Sequence, residues 1–392
     1  MHGVGWATVA DIALRVNNCT LIPVPEQIHP NPDFPTVKFP NPEEDDALQL
    51  AFDTADKAGE NIVMANDPDA DRFAAAQKID HSWRRFTGDQ IGVLLADYLL
   101  ENELQKNSQR EIVMLCSAVS SGMLKKMIQV AGSRFHFEET LTGFKWIGNR
   151  AKQLEGDGFV ALFGYEEALG YMFPEVSWDK DGIAAMSTFL AALSHWKKQG
   201  LDPWRKLQRL YQKHGYHESI NTFFISPSSD YTKNVFARIR QSKAISRMSL
   251  DLYKIIRSRD VTYGTESGDW ENKLPRDKTS EMLKFQLVEA GHMDTVNEVA
   301  DREVDAEPTE ISFTIRASGT EPKVKLYLEC SGSTEDRAVQ HAVNVFSAII
   351  KEWIVPFGQE LRHSGRATSS SNRTITVAIG QEVGQRAMNA FV

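Results

Sequence analysis

Asp67, Asp69 and Asp71 stand at alternate positions straight after a short apolar run, in "ENIVMANDPDADRFAAAQK" (60–78). Alternate residues of an extended chain point to one side, roughly 6.5 Å apart at the backbone. A slight curl would bring three carboxylates onto one hard cation, and Pro68 limits the ways the loop can curl. A Ca²⁺ EF-hand loop also opens D-x-D-x-D, but its sixth position should be Gly and its twelfth Glu. Those positions are Arg72 and Lys78 here, so that reading fails. Mg²⁺ takes about six oxygens at roughly 2.1 Å, and three aspartates would leave room for a phosphoryl oxygen. A solvated acidic turn has the same composition; placement at the end of a buried strand favours the metal.

Three more stretches carry polar groups at strand ends. In "IRASGTEPKVKLY" (315–327), Arg316, Ser318, Gly319, Thr320 and Lys323 surround a tight turn. Backbone N–H groups, two hydroxyls and a guanidinium there could cradle a phosphate, and a plain hairpin turn fits equally. "FGYEEALGY" (163–171) sets two glutamates between glycines. They could accept hydrogen bonds from vicinal sugar hydroxyls, or simply favour a helix N-terminus. "ETLTGFKWIGN" (139–149) and "SWDKDGIAA" (177–185) each put a lysine at a strand-to-helix junction, where a lone lysine is usually solvated.

These loops need a frame. Short apolar runs such as "NIVMA" (61–65), "EIVMLC" (111–116) and "FVALFGYEE" (159–167) read as strands. They alternate with capped, amphipathic stretches such as 87–102, 142–156 and 181–200. Such alternation predicts βαβ units and a mostly parallel sheet. We expect two similar α/β domains, 1–107 and 108–225, with a junction near Asn107. A polar connector over 226–280 and a smaller α+β domain over 281–362 should follow. The Ser/Thr/Asn-rich tail 363–392 is expected to be poorly ordered.

Composition excludes several classes. The 392 residues carry a formal net charge of −9, which argues against nucleic-acid or membrane-surface binding. Three scattered cysteines, Cys19, Cys116 and Cys330, form no disulfide framework or metal pattern. No run nears the roughly 18 apolar residues of a membrane span, and the N-terminus lacks a signal peptide's basic and apolar regions, so the expected place is the cytoplasm.

Taken together and in this order, the stretches resemble the α-D-phosphohexomutase superfamily, in particular its eukaryotic phosphoglucomutase and phosphopentomutase branch. "NDPDADR" is similar to that family's metal loop, "GYEEALGY" to its sugar loop and "RASGTEPK" to its phosphate loop. The resemblance implies four domains around a cleft. It also implies a phosphoserine that passes its phosphoryl group to a sugar monophosphate by way of a sugar bisphosphate. Asp67, Asp69 and Asp71 would hold Mg²⁺, with Arg72 and Lys180 beside the transferring group. Thr142, Gly143, Lys145 and Glu166 would meet the sugar, and Arg316, Ser318, Gly319 and Thr320 the second phosphate. Ala168 replaces a serine of the sugar loop, which tilts the expectation from hexose toward pentose phosphate.

One part of the pattern is absent. No T-A-S-H-N-P type serine motif occurs, and the one Ser–His pair, Ser194–His195, lies in a predicted helix. "MHGVG" resembles the opening of the family's second domain, so the first domain is expected to be missing and this chain inactive alone. A non-catalytic phosphosugar-binding protein is the competing expectation. An aspartyl-nucleophile phosphatase is a weaker one, because the R-x-S-G-T-E-P-K loop has no place in it.

Overall fold

A computed structural model describes residues 1–44, 46–106, 108–241, 249–250, 253–270, 274–289, 309–319 and 321–371. The chain divides into two compact units, Met1–Leu210 and Tyr211–Val392.

The first unit holds two sheets. β1 (Ile62–Ala65), β2 (Ala74–Ile79) and β3 (Ser82–Arg85) form an antiparallel meander in register Val63↔Ala76 and Gln77↔Arg84. Phe52, from α2 (Gln49–Ala58), stacks on Trp83 at 4.8 Å and closes one face of this sheet. The second sheet has the order β5-β4-β6-β7, from β4 (Ile112–Ser117), β5 (Phe135–Thr140), β6 (Val160–Glu166) and β7 (Gly170–Met172). The first three are parallel and β7 is antiparallel. Every residue of β4 is buried, as its unbroken apolar run requires of a central parallel strand. The expected parallel character therefore belongs to this sheet and not to the meander.

Helices flank and join these sheets. α3 (Gly88–Gln105) opens with a capping box, Thr87 with Gln90, and Ile91 to Ala96 are all buried, as an interior helix requires. α4 (Met123–Ala131) and α5 (Phe144–Gly156) make the parallel crossovers. α6 (Gly182–Lys198) begins at Asp181, whose side chain caps the Ile183 and Ala184 N–H groups at 3.0 and 2.8 Å. Lys206, on α7 (Pro203–His214), ties these helices together. It meets Asp97 Oδ2 at 2.6 Å and Glu101 Oε1 at 2.7 Å, and Glu101 also meets His195 of α6 at 2.9 Å.

The second unit is one antiparallel sheet in the order β11-β10-β12-β13-β14-β8-β15. The strands are β8 (Tyr216–Ile225), β10 (Tyr253–Asp260), β11 (Thr265–Ser267), β12 (Met282–Glu289), β13 (Ile311–Ala317), β14 (Lys323–Gly332) and β15 (Arg362–Ser369). The short β9 (Ser249–Leu250) pairs with β10. α8 (Ser229–Gln241) and α9 (Glu335–Ile349) cover it through Phe236, Ile239, Val345 and Phe346. Trp353 stands edge-on to Phe285 and Phe313 in the same core.

Three boundaries move. Residues 226–280, expected as a connector, supply α8, β9, β10 and β11. The charge-rich β10 hid its strand character because partners satisfy its basic groups: Arg259 lies over Trp270 at 4.3 Å and meets Glu266 at 2.6 Å. Residues 216–225, expected to finish the second α/β domain, pair with β14 and β15 in the second unit. The start of the tail belongs to β15, and Ser369, Ser370 and Ser371 donate to the carboxylate of Glu218, with Ser370 Oγ at 2.8 Å. Asn107 and residues 372–392 lie outside the described residues.

Candidate functional site

The loop after β1 leaves the sheet edge and folds back on itself. Ala70 takes φ +61°, and its N–H donates to the Asp67 carbonyl at 3.1 Å, which supplies the predicted curl. Asn66 Nδ2 donates to the Arg72 carbonyl at 2.6 Å and closes the loop from below. Gly3 is packed so tightly here that a Cβ would lie 2.1 Å from the Pro68 carbonyl oxygen. Val4 N–H donates to that same oxygen at 2.9 Å. The "HGVG" glycine thus serves a close backbone approach to the aspartate loop.

This folding brings ligand oxygens of Asp67, Asp69 and Asp71 within 4.8 Å of one another. Theirs is the one such acidic cluster among the described residues. Burial pushes the Asp67 carboxyl up to about 6; the Arg72 N–H bond opposes this, and the charges of Asp71 and Asp69 add to it. A half-buried carboxylate flanked by two others is a group that a cation would relieve, and an all-oxygen donor set suits a hard divalent ion. The residues present fit Mg²⁺.

Two cations already face the trio. Arg72 N–H donates to Asp67 Oδ1 at 3.0 Å, with Nε 3.9 Å from Oδ2. Lys180 Nζ lies 2.8 Å from Asp71 Oδ2 and 5.6 Å from the centre of the Phe144 ring. Burial depresses the Lys180 pKa, but the hydrogen bond and charge of Asp71 outweigh it and the net shift is upward.

The sugar-type loop joins the same place. Arg72 bridges to Gly170, and Phe73 N–H donates to the Leu169 carbonyl at 3.1 Å. Asp181 N–H donates to Tyr171 at 2.9 Å, and Gly182 N–H to Ala70 at 3.1 Å. Glu166 accepts from the Gly143 N–H at 3.2 Å. Burial pushes the Glu166 carboxyl up to about 7, and the charge of Glu167 adds to it; Lys180, Arg72 and the Gly143 N–H pull the other way.

Sheet topology explains the convergence. β5 and β6 lie on opposite sides of β4, so their crossover connections diverge and open a crevice at the carboxyl ends of β4 and β6. Ser117 and Glu166 end those strands. Sequence reasoning missed Ser117 and Ser120, and named Glu167 only as the second glutamate of the sugar-type loop. Ser117 Oγ donates to Glu167 Oε2 at 3.1 Å, and Glu167 N–H donates to Ser120 Oγ at 3.1 Å. It also missed Asn66 and Phe144. Of the residues that frame the site, Asp181 and Gly182 carry a sequence signal, since "DG" is an N-cap before an apolar run.

Other predicted residues are placed differently. Lys145 is exposed and lies over its neighbour Trp146, 5.5 Å from the ring centre. Thr142 is half-buried beside Gly143. Ser194 is exposed on α6 and His195 is engaged by Glu101, so this pair is helix surface. Arg316 lies in β13, and Ser318 and Gly319 lie in the β13–β14 connection of the second unit, where Ser318 N–H donates to the Lys323 carbonyl at 2.9 Å. A Cβ on Gly319 would have nothing within 4 Å. Thr320 lies outside the described residues.

Comparison with known proteins places the chain in a family. Residues 1–79 match the phosphoglucomutase/phosphomannomutase α/β/α domain II, 87–214 its domain III and 287–344 its C-terminal domain. A phosphoribomutase of Saccharomyces cerevisiae is 40% identical over 376 residues, covering 91% of this chain and 58% of its own length. A human phosphopentomutase is 38% identical over 365 residues, covering 90% and 56%. The chain thus spans a little over half the length of these relatives. The crystal structure of pp63/parafusin, a Paramecium phosphoglucomutase, shares the fold at a TM-score of 0.54 and 17% identity, over 88% of this chain and 55% of its own. The chain belongs to the phosphoglucomutase/phosphomannomutase family, the α-D-phosphohexomutases, and carries the family's domain II, domain III and C-terminal domain.

Proposed function

We propose that this chain is the metal- and sugar-phosphate-binding part of a phosphosugar mutase of the phosphopentomutase type. The reaction is an intramolecular phosphotransfer between C1 and C5 of a pentose, or C1 and C6 of a hexose, through a bisphosphate. The observation that carries the reading is the meeting of the three-aspartate cluster, two cations and the Glu166 loop in one crevice of the first unit.

Asp67, Asp69 and Asp71 would hold Mg²⁺, which when bound supplies positive charge to a transferring phosphoryl group. Arg72 and Lys180 add positive charge beside that group. Glu166, oriented by the Gly143 N–H, accepts from sugar hydroxyls while ionised. Arg316, Ser318, Gly319 and Thr320 bind the phosphate that stays in place. Pentose is preferred on two grounds: Ala168 stands where a serine would widen hydroxyl recognition, and the yeast and human relatives are named for pentose phosphates.

No serine in these 392 residues has the sequence context of a phosphoryl-donating one. The chain by itself should therefore bind without turning over. Calorimetry with ribose 5-phosphate and Mg²⁺ should show saturable binding, lost in Asp67→Asn. A coupled assay with ribose 1-phosphate or glucose 1-phosphate, bisphosphate activator and Mg²⁺ should stay at background. Absence of binding refutes the site, and robust turnover refutes the assignment of the donor outside these residues.

A further inference from the structure

The aspartate loop carries three negative charges within 4.8 Å, yet the fold presses it against β7 and α6 rather than leaving it in water. Like charges at that spacing repel one another even at an effective dielectric of about 20–80. Something must offset this when no metal is held. Arg72 faces Asp67, and Lys180 faces Asp71 at 2.8 Å with both side chains largely shielded, at 22% and 31% exposure.

Lys180 is built for a temporary contact. Its backbone is fixed: its N–H donates to Asp179 Oδ1 at 2.8 Å, and the next residue caps α6. Its head is not fixed, since the ammonium sits on a flexible four-carbon stem with no bidentate geometry to hold it. Asp179 Oδ1 lies 3.6 Å from Nζ and the Phe144 ring 5.6 Å away, so two other favourable partners are within reach on the same side. Asp71 is thus claimed by Lys180 and, on the reading above, also by the metal.

We infer that Lys180 is a placeholder cation: its ammonium neutralises Asp71 in the metal-free protein and leaves that carboxylate when a divalent ion is bound. This rests on the three aspartates being the metal site. A lysine with this role weakens metal binding, because it must be displaced and its charge repels the ion. A lysine that merely props Asp71 in position strengthens it.

The test is Mn²⁺ affinity of the full chain, by calorimetry and by the loss of free-ion EPR signal. Wild type, Lys180→Met, Lys180→Gln, Lys180→Arg and Asp69→Asn are compared, each checked by circular dichroism. At the water end of these dielectrics a single nearby unit charge is worth about a factor of three to ten in affinity. Lys180→Met and Lys180→Gln should bind Mn²⁺ about three- to tenfold more tightly than wild type, and Lys180→Arg no more tightly. Equal or weaker binding by both neutral variants, with Asp69→Asn still impaired, overturns the placeholder role and leaves the metal site standing. Undiminished binding by Asp69→Asn overturns both.

Discussion

Gly182→Ala tests whether α6 sets the shape of the aspartate loop. Gly182 is the first residue of α6, and its N–H donates to the Ala70 carbonyl at 3.1 Å. A Cβ there would lie 2.2 Å from the Arg72 carbonyl oxygen, 2.6 Å from its carbon and 2.6 Å from Asn66 Nδ2. Backbone atoms cannot swing aside as a side-chain tip can, so loop and helix must separate by about 1 Å. Overpacking costs about 1–3 kcal/mol, and a strained backbone hydrogen bond adds about 1 kcal/mol. At about 2–4 °C per kcal/mol for a unit near 200 residues, the Tm should fall by about 4–16 °C. Gly156→Ala is the control: it is the last residue of α5, and a Cβ there meets nothing within 4 Å. Its gain in helix propensity and loss of unfolded-state freedom should raise stability by about 0.4–1 kcal/mol. Differential scanning fluorimetry with and without Mn²⁺ reads both effects, and only Gly182→Ala should also lower Mn²⁺ affinity. A Gly182→Ala protein that melts with wild type and binds Mn²⁺ equally well refutes the argument.

The remaining expectations follow from charges. Glu166 ionises near 4.5 when unfolded and near 7 when folded, so the unfolded chain holds fewer protons between those values and stability falls as pH rises through the window. Denaturant titrations at pH 5 and pH 8 should show that loss, up to about 3 kcal/mol and less where solvent screens the group, and Glu166→Gln should flatten it. Lys206→Met strands Asp97 and Glu101 without their shared cation and should cost about 3–5 kcal/mol, read as a shifted denaturation midpoint. Mg²⁺ at ten times its Kd should add about 1.4 kcal/mol of stability, reversed by a chelator and absent in Asp67→Asn.

How much of the site could be read in the sequence depends on distance along the chain. Asp67, Asp69 and Asp71 are legible because one loop carries all three and their alternation is itself the geometric signal. β4 was legible because a central parallel strand must be apolar along its buried length, and Ile112–Cys116 is. β10 was not: Arg257 and Arg259 look like a solvated stretch until Gln286 is set beside the first, and Glu266 and Trp270, across the following turn, beside the second. The tail serines likewise acquire meaning only opposite Glu218.

The site residues divide the same way, and the division bears on what positions the chemistry. The groups that would touch a ligand sit in short local patterns, whereas the groups that aim them sit about 10 to 110 residues away in sequence and act largely through backbone. Gly182 holds Ala70, Leu169 holds Phe73, Tyr171 holds Asp181, and Gly143 holds Glu166. A backbone N–H or carbonyl leaves no mark in residue type unless close approach forces a glycine, and Gly3 and Gly182 are such marks. Substituting an aspartate should therefore remove a ligand and leave the loop in place. Substituting either glycine should leave all three ligands present and misplace them together, the graver fault for a site that depends on oxygens converging within a few ångströms.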